Sequence, residues 1–97
     1  MIVTTHPLAD SELVDGAAYY AQEVNQALGS DFIAEFERSI DLLRLFPRIG
    51  TPLRSGLRRL PMRRFPYSII YWESGDALRV LALAHQKRRP GYWRGRT

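Results

Sequence analysis

The residue types best suited to chemistry on a phosphate lie together near the carboxyl end of the chain, in residues 85–96. This segment holds His85, five cations and two neighbouring aromatic residues, Tyr92 and Trp93. Cations neutralise phosphate charge, and aromatic rings can stack on unpaired bases. The same composition also fits an aromatic tail that packs on the fold and leaves its charges in solvent. The segment is therefore a candidate nucleic-acid-binding surface, with a packed tail as the alternative.

A second basic group lies on the hairpin that precedes this segment. Two basic clusters on neighbouring strands would form one electropositive surface, of the kind that attracts phosphate or an acidic protein. The residues that we predict to bind nucleic acid or another target are Arg58, Arg59, Arg63, Arg64, Arg89, Trp93 and Arg94. The alternative is a basic face that is only solvated and binds nothing.

Such a surface would need few additional groups to cleave RNA. RNA carries its own nucleophile, the 2′-hydroxyl, so a protein need only orient it, stabilise charge on the phosphate and move protons. Histidine is the first candidate for proton transfer, because a free imidazole titrates near neutral pH. If the protein is a ribonuclease, we expect the catalytic residues to be His85, Arg64, Lys87, Arg88 and Tyr92. The alternative for His85 is a strand-end residue that is hydrogen-bonded to nearby backbone.

Other reaction classes find little support in the residues. The chain has no cysteine, and its two histidines, His6 and His85, are far apart in sequence without paired carboxylates near either. We therefore predict no thiol chemistry, no metal site and no cofactor. No glycine-rich phosphate loop is present. Ser68, Asp76 and His85 have the residue types of a nucleophilic triad. Such residues occur in almost any chain, so their presence does not indicate a triad.

Charge is distributed unevenly along the 97 residues. Residues 1–46 carry eight acidic and two basic side chains, a net charge of −6, whereas residues 47–97 carry twelve basic and two acidic ones, a net charge of +10. A phosphate or an acidic partner would contact the basic half. The length fits one domain over residues 1–97, and the apolar runs are too short to span a membrane. Without cysteine or a visible signal peptide, we expect a cytoplasmic protein.

The elements that must position these groups begin with a short strand and two helices. The β-branched segment Ile2–Thr4 predicts the strand. Apolar residues then recur at helical spacing over residues 13–28 and again over residues 32–46. The pair Gly29–Ser30 interrupts this pattern, so we expect the first helix to end there and Ser30 to cap the second. So short a break predicts an antiparallel helical hairpin.

The second half of the chain predicts a sheet. Residues 47–57 contain two prolines and two glycines without a sustained period and predict a loop. Strands are predicted over residues 58–62, 67–72 and 77–85, the last two joined by a tight turn. The order β-α-α-β-β-β indicates an α+β fold, in which an N-terminal strand and an antiparallel two-helix hairpin precede a three-stranded antiparallel sheet.

Period-two alternation assigns the two faces of the last strand. One side is wholly apolar and consists of Leu78, Val80, Ala82 and Ala84. The other side consists of Arg79, Leu81, Leu83 and His85. We expect the apolar side to meet the helices, because alanines let a helix approach closely. This prediction leaves His85 on the opposite face, where a substrate or partner could bind.

Several segments together resemble the RelE/ParE superfamily of type II toxins. They are the early helical pair, the turn Phe46–Gly50, the strand Arg64–Tyr71, and the strand Val80–His85 with its arginine-rich tail. The similarity covers nearly the whole chain and preserves the order of its elements. It implies a small toxin that a cognate antitoxin neutralises by wrapping around it with an extended or helical segment. That partner would supply the acidic or apolar complement to the basic half.

The superfamily contains two activities, and the resemblance favours one of them by a narrow margin. RelE-like members cleave messenger RNA on the ribosome, whereas ParE-like members poison DNA gyrase. RelE-like proteins typically carry a catalytic arginine just after the tyrosine of the central strand, where this chain has Ser68. The turn Phe46–Gly50 also resembles ParE-like members, although Lys87, Arg88, Arg89 and Tyr92 resemble a RelE-like tail. The resemblance thus favours a gyrase inhibitor. A ribosome-dependent endoribonuclease and a non-toxic basic domain that binds nucleic acid or an acidic protein are the alternatives.

Overall fold

The two helices form a hairpin on one face of a sheet. In the computed structural model, which describes all 97 residues, helix α1 spans Pro7–Glu23 and helix α2 spans Gln26–Leu45. The side chain of His6 caps α1, and the side chain of Asn25 caps α2 by accepting a backbone hydrogen bond of 2.8 Å. A two-residue connection folds one helix back on the other, as predicted. Neither helix is long and apolar enough to cross a membrane.

The predicted helix boundary at Gly29–Ser30 is wrong. Asn25 provides the cap instead, and both residues lie inside α2. Gly29 is buried against α1, where a Cβ atom would lie 2.8 Å from the carbonyl oxygen of Ala17. The glycine therefore permits close approach of the two helices, and Ser30 is an exposed residue of the first turns of α2.

The sheet has five strands and is mixed. The strands are β1 (Ile2–Thr5), β2 (Thr51–Pro52), β3 (Arg58–Pro61), β4 (Tyr67–Ser74) and β5 (Ala77–His85). Their order is β1-β5-β4-β3-β2, with β1 parallel to β5 and every other pair antiparallel. The predicted α+β order and the antiparallel β3-β4-β5 core of the sheet are confirmed. The sheet is wider because β1 pairs with the outer edge of β5 and β2 forms within the predicted loop.

A β-bulge in β5 changes which side chains face the helices. Ile70 pairs with Ala82 and Tyr71 with Val80, so Leu81 has no partner of its own on β4. Beyond such a bulge the in-and-out alternation of the strand is reversed. The face assignment is therefore right only before the bulge, where Leu78 and Val80 pack with the helices.

Beyond the bulge the face assignment is wrong. Leu83 joins the helix-side core, and His85 lies on the same side with its ring against Tyr67. Ala82 and Ala84 face the opposite side of the sheet. The small alanine side chains thus make room for the carboxyl-terminal residues and not for a helix.

Two hydrophobic layers result, one on each face of the sheet. The larger layer packs the helices on the sheet around fully buried Phe32, Leu43 and Tyr71. The smaller layer consists of Ile70, Ala82 and Ala84, covered by Leu53, Leu57, Tyr92 and Trp93. The segment after β5 is therefore a structural layer of the fold, as the packed-tail alternative predicted.

The turn after α2 is held by the buried Tyr71. Its hydroxyl donates to the carbonyl oxygen of Pro47 at 2.8 Å and accepts from the N–H of Gly50 at 3.0 Å. A Cβ atom at residue 50 would lie 2.6 Å from this hydroxyl oxygen, so glycine is required there. Burial raises the pKa of Tyr71, which keeps the hydroxyl neutral and able to donate.

Candidate functional site

The carboxyl-terminal tail, residues 86–97, is folded as a series of tight turns across the sheet. Backbone hydrogen bonds join Arg88 to His85, Tyr92 to Arg89, Arg94 to Gly91, and Arg96 to Trp93. Gly91 and Gly95 have positive φ angles of 77° and 89°, which these turns require. The tail therefore has a fixed path that determines where its cations and aromatic rings lie.

Glu12 of α1 holds this tail in place. Its carboxylate accepts a hydrogen bond of 2.7 Å from the hydroxyl of Tyr92, and it forms an ion pair with Arg96 at 2.9 Å. It also accepts from the backbone N–H of Leu83 at 3.1 Å, while Arg96 donates to the carbonyl oxygen of Leu81 at 3.0 Å. We call Glu12, Tyr92 and Arg96 the Glu12 clamp. Because β1 pairs with β5 only as far as residue 80, the clamp occupies the edge of β5 that β1 leaves open.

Tyr92 has a structural position within this clamp. Its ring lies beneath the guanidinium group of Arg88, whose central carbon is 3.9 Å from the ring centroid. Burial and the hydrogen bond to Glu12 raise the pKa of Tyr92 well above its usual range. A phenol in this state keeps its proton, donates a hydrogen bond to Glu12 and does not act as a base at neutral pH.

His85 lies in a small cleft between α1 and the end of the sheet. Its Nδ1 atom accepts a hydrogen bond of 3.0 Å from the backbone N–H of Lys87, and its ring meets that of Tyr67 edge-on at 5.0 Å. Arg88 also lines this cleft of about 260 Å³, which we call the His85 cleft, together with Glu12 and Tyr19. The backbone contact matches the structural alternative predicted for His85, and Lys87 itself is exposed.

Arg64 does not line the His85 cleft. It lies in the β3–β4 turn, where its guanidinium group pairs with Asp31 of α2 at 3.5 Å and lies over the ring of Phe65. The structure thus brings together His85, Arg88 and Tyr92 from the predicted catalytic set, and leaves Arg64 at another part of the surface.

Ser68, at the position where RelE-like proteins carry an arginine, is buried. Only 6 % of its surface is exposed, and it pairs with Ala84 across the β4–β5 ladder. It lies on the side of β4 that also bears Ile70, beneath the tail. No cation projects from this position into the His85 cleft.

The predicted binding residues are divided among four places. Arg59, Trp93 and Arg94 line an open groove of about 950 Å³ between the tail and residues 51–57, which we call the tail groove. Arg58 lies elsewhere, because its guanidinium group donates to the carbonyl oxygens of Arg48 and Gly50. Arg63 and Arg64 lie at the β3–β4 turn, and Arg89 is exposed on the tail.

Sequence reasoning did not identify Glu12, Arg54 or Trp72 as site residues, and it counted Arg96 only among the five cations of residues 85–96. Trp72 carried a signal, since alternation along β4 places it on the same side as Ile70. Glu12 carried none, because it meets residues 71–84 positions away in sequence. No group of three or more metal-ligating side chains is brought together anywhere in the structure.

Glu35 fixes the turn that bears Arg63 and Arg64. It is 5 % exposed, accepts a 2.7 Å hydrogen bond from Arg38 and accepts another from the backbone N–H of Arg63. The hydrogen bond from Arg38 holds the pKa of Glu35 below its ordinary value of 4.5. Such a carboxylate stabilises the fold above its unfolded pKa, and this contribution is lost as pH falls through the folded pKa.

We therefore expect a Glu35→Gln variant to be destabilised at neutral pH and to approach the wild type in stability as the pH falls below 4.5. Urea unfolding across the acid range measures the difference between the two free energies of unfolding. Glu37→Gln, an exposed neighbour with the same charge change, should keep the wild-type pH dependence. Equal pH dependence for the Glu35 variant and the wild type would contradict the assignment.

Comparison with known proteins agrees with this architecture. The family model described as the ParE toxin of the type II toxin-antitoxin system parDE matches residues 3–90. A solved structure titled as the chromosomal ParDE TA system from P. aeruginosa shares the fold, with a TM-score of 0.77 at 17 % sequence identity. The match covers 88 % of this chain and 95 % of that chain. No curated protein matches the sequence. The family model spans nearly all of the chain, and the protein therefore belongs to the ParE toxin family of type II toxin–antitoxin systems.

Proposed function

We propose that this toxin stops bacterial growth by inhibiting DNA gyrase through a protein–protein contact. Membership of the ParE family supports the proposal, because gyrase is the target that the resemblance implies for the ParE-like branch. The proposal implies a toxin that acts in the cytoplasm, where gyrase meets bacterial DNA.

The observation that carries this proposal is the burial of Ser68. Cleavage of RNA needs a cation against the phosphate, and the position that supplies it in RelE-like proteins is here a serine beneath the tail. The hydroxyl of Tyr92 is bonded to Glu12, and Arg64 is paired with Asp31. A toxin that acts by contact needs none of these groups to be free.

We also propose that a cognate antitoxin neutralises the toxin by covering its basic half. Residues 47–97 carry a net charge of +10, which an acidic partner segment would complement. Electrostatic complementarity of this size would speed association more than it would strengthen the final complex. Binding of the antitoxin should therefore slow markedly as the salt concentration rises.

A ribosome-dependent endoribonuclease is the second candidate, and one feature favours it. His85 uses only Nδ1 in a hydrogen bond, which leaves Nε2 available for proton transfer beside Arg88. In this alternative Lys87 and Arg88 would stabilise the phosphate. Tyr92 and Arg64 would contribute only after leaving Glu12 and Asp31.

The test is a supercoiling assay with purified gyrase and relaxed plasmid. We expect the toxin to abolish supercoiling and to increase cleaved plasmid, and to leave mRNA intact in a purified translation system. The His85→Ala variant should inhibit gyrase as the wild type does, because the proposed contact uses no proton transfer. Glu37→Gln, a change at an exposed position of α2, serves as the control for the protein preparation.

Two results would contradict the gyrase proposal in different ways. Unchanged supercoiling together with mRNA cleavage that His85→Ala abolishes would establish the endoribonuclease. Unchanged supercoiling, intact mRNA and harmless expression in a bacterium without the antitoxin would indicate a non-toxic basic binding domain.

A further inference from the structure

The tail groove is lined by cations and by no acidic side chain, and the main-chain oxygen of Thr97, which also lines it, accepts a hydrogen bond of 2.7 Å from Arg79. The arginines that line the groove are Arg54, Arg59, Arg94 and Arg96. Arg96 is neutralised by Glu12, whereas the other three make no ion pair and are exposed. They come from the β2–β3 connection, from β3 and from the tail, so separate elements direct positive charge to one groove. A surface of this kind attracts a polyanion.

The same groove presents flat aromatic surface between the charges. Trp72 of β4 and Trp93 of the tail are half-buried, and both line the groove beside Leu53, Leu57 and Leu81. Neither indole N–H group makes a side-chain hydrogen bond within the fold. Arginines around exposed aromatic faces are the combination that binds phosphates together with unpaired bases.

We infer that the tail groove binds single-stranded nucleic acid, with its phosphates on Arg54, Arg59 and Arg94 and its bases against the two indoles. A duplex is disfavoured because its bases are paired and stacked on one another, and so present no free face to an indole. A single mononucleotide would leave most of this open groove of about 950 Å³ unfilled. The three arginines come from different elements, and this spacing suits successive phosphates of one nucleic-acid chain.

An acidic peptide is the other polyanion to consider. An extended peptide docks most readily by adding a strand to a free sheet edge. The edge beside this groove is β2, which has two residues, one of which is Pro52 and has no N–H to donate. The inference does not rest on the proposed inhibition of gyrase, because binding of nucleic acid to this groove requires no gyrase.

The test uses a single-stranded oligothymidine of about twelve nucleotides. The chain has two tryptophans and both line the tail groove, so intrinsic fluorescence reports on this site without any substitution. We expect the oligonucleotide to quench this fluorescence on binding. Binding measured on the toxin alone also separates the result from the outcome with gyrase.

Two triple variants with the same change of charge separate the groove from general basicity. Arg54→Ala with Arg59→Ala and Arg94→Ala should weaken binding by at least tenfold and should lower the salt slope by about 2, as expected for three lost phosphate contacts. The matched control combines Arg44→Ala, Arg48→Ala and Arg63→Ala, which are exposed outside the groove. The sequence grouped Arg63 with the binding residues, but the structure places it in the β3–β4 turn, outside the groove. It should change affinity by less than about threefold. Trp93→Leu, which keeps apolar cover over Ile70, should cost roughly 5- to 150-fold in affinity.

Several outcomes would overturn the inference. Equal weakening by both triple variants would mean that diffuse charge alone binds the oligonucleotide. Binding without fluorescence quenching would put the ligand elsewhere on the molecule. Equal or tighter binding of a matched duplex, of a nucleoside triphosphate or of an oligoglutamate peptide would assign the groove to a different ligand class.

Discussion

Replacement of Glu12 by alanine should detach the tail and cost about 3–5 kcal/mol of unfolding free energy. The substitution removes the carboxylate that receives Tyr92, Arg96 and the N–H of Leu83. Side-chain exposure is 14 % for Glu12 and 12 % for Arg96, so the variant leaves a largely buried guanidinium group without its counter-charge. A small domain has only about 5–15 kcal/mol in total, so this loss is a large fraction.

The measurement is urea unfolding followed by tryptophan fluorescence, because Trp93 lies in the layer that the clamp holds down. Glu12→Gln keeps an acceptor oxygen but removes the charge, and should lose an intermediate amount of stability. Asp15→Ala removes an exposed carboxylate from the same helix and should change stability by less than about 0.5 kcal/mol. A Glu12→Ala midpoint equal to that of Asp15→Ala would show that the clamp contributes no stability.

The clamp also illustrates which features a single sequence can predict. The strand at residues 67–74 and the last strand were predictable because β-branched and aromatic residues express their preference within a few positions. The partners of Glu12 lie at the other end of the chain, and nothing in the local pattern around residue 12 distinguishes it from an ordinary acidic residue near a helix start. Contacts of this separation depend on the whole topology.

The bulge at Leu81 was hidden for a different reason. Residues 80–84 are apolar without interruption, so no polar side chain marks the phase of the strand. An extra residue in such a run reverses the faces without any change in the pattern, and it moved His85 to the helix side. The basic residues of the tail groove and the His85 cleft were recognised by type, but this reversal and the course of the tail decide which of them lie together.

Gly29 was misread because its local preference and its tertiary role conflict. Within one helix an alanine would be favoured over this glycine by about 1 kcal/mol. In the folded protein a Cβ atom at this position would lie 2.8 Å from the carbonyl oxygen of Ala17 and 2.9 Å from the Cβ atom of Ala21. The backbone oxygen cannot rotate away as a flexible side chain would, so the two helices themselves would have to separate.

We therefore expect Gly29→Ala to destabilise the protein by about 1–2 kcal/mol in spite of the gain in helix propensity. The free-energy cost of overpacking at this helix crossing exceeds the gain in helix propensity. Gly29→Val, with two more methyl groups in the same space, should lose more than about 3 kcal/mol and unfold much of the population at moderate temperature. Thermal unfolding followed by circular dichroism measures both variants. Ser30→Ala, the next and exposed position of the same helix, is the matched control and should raise stability by a few tenths of a kcal/mol. If Gly29→Ala instead raises the melting temperature as Ser30→Ala does, the helix crossing has room for a methyl group and propensity alone governs the position.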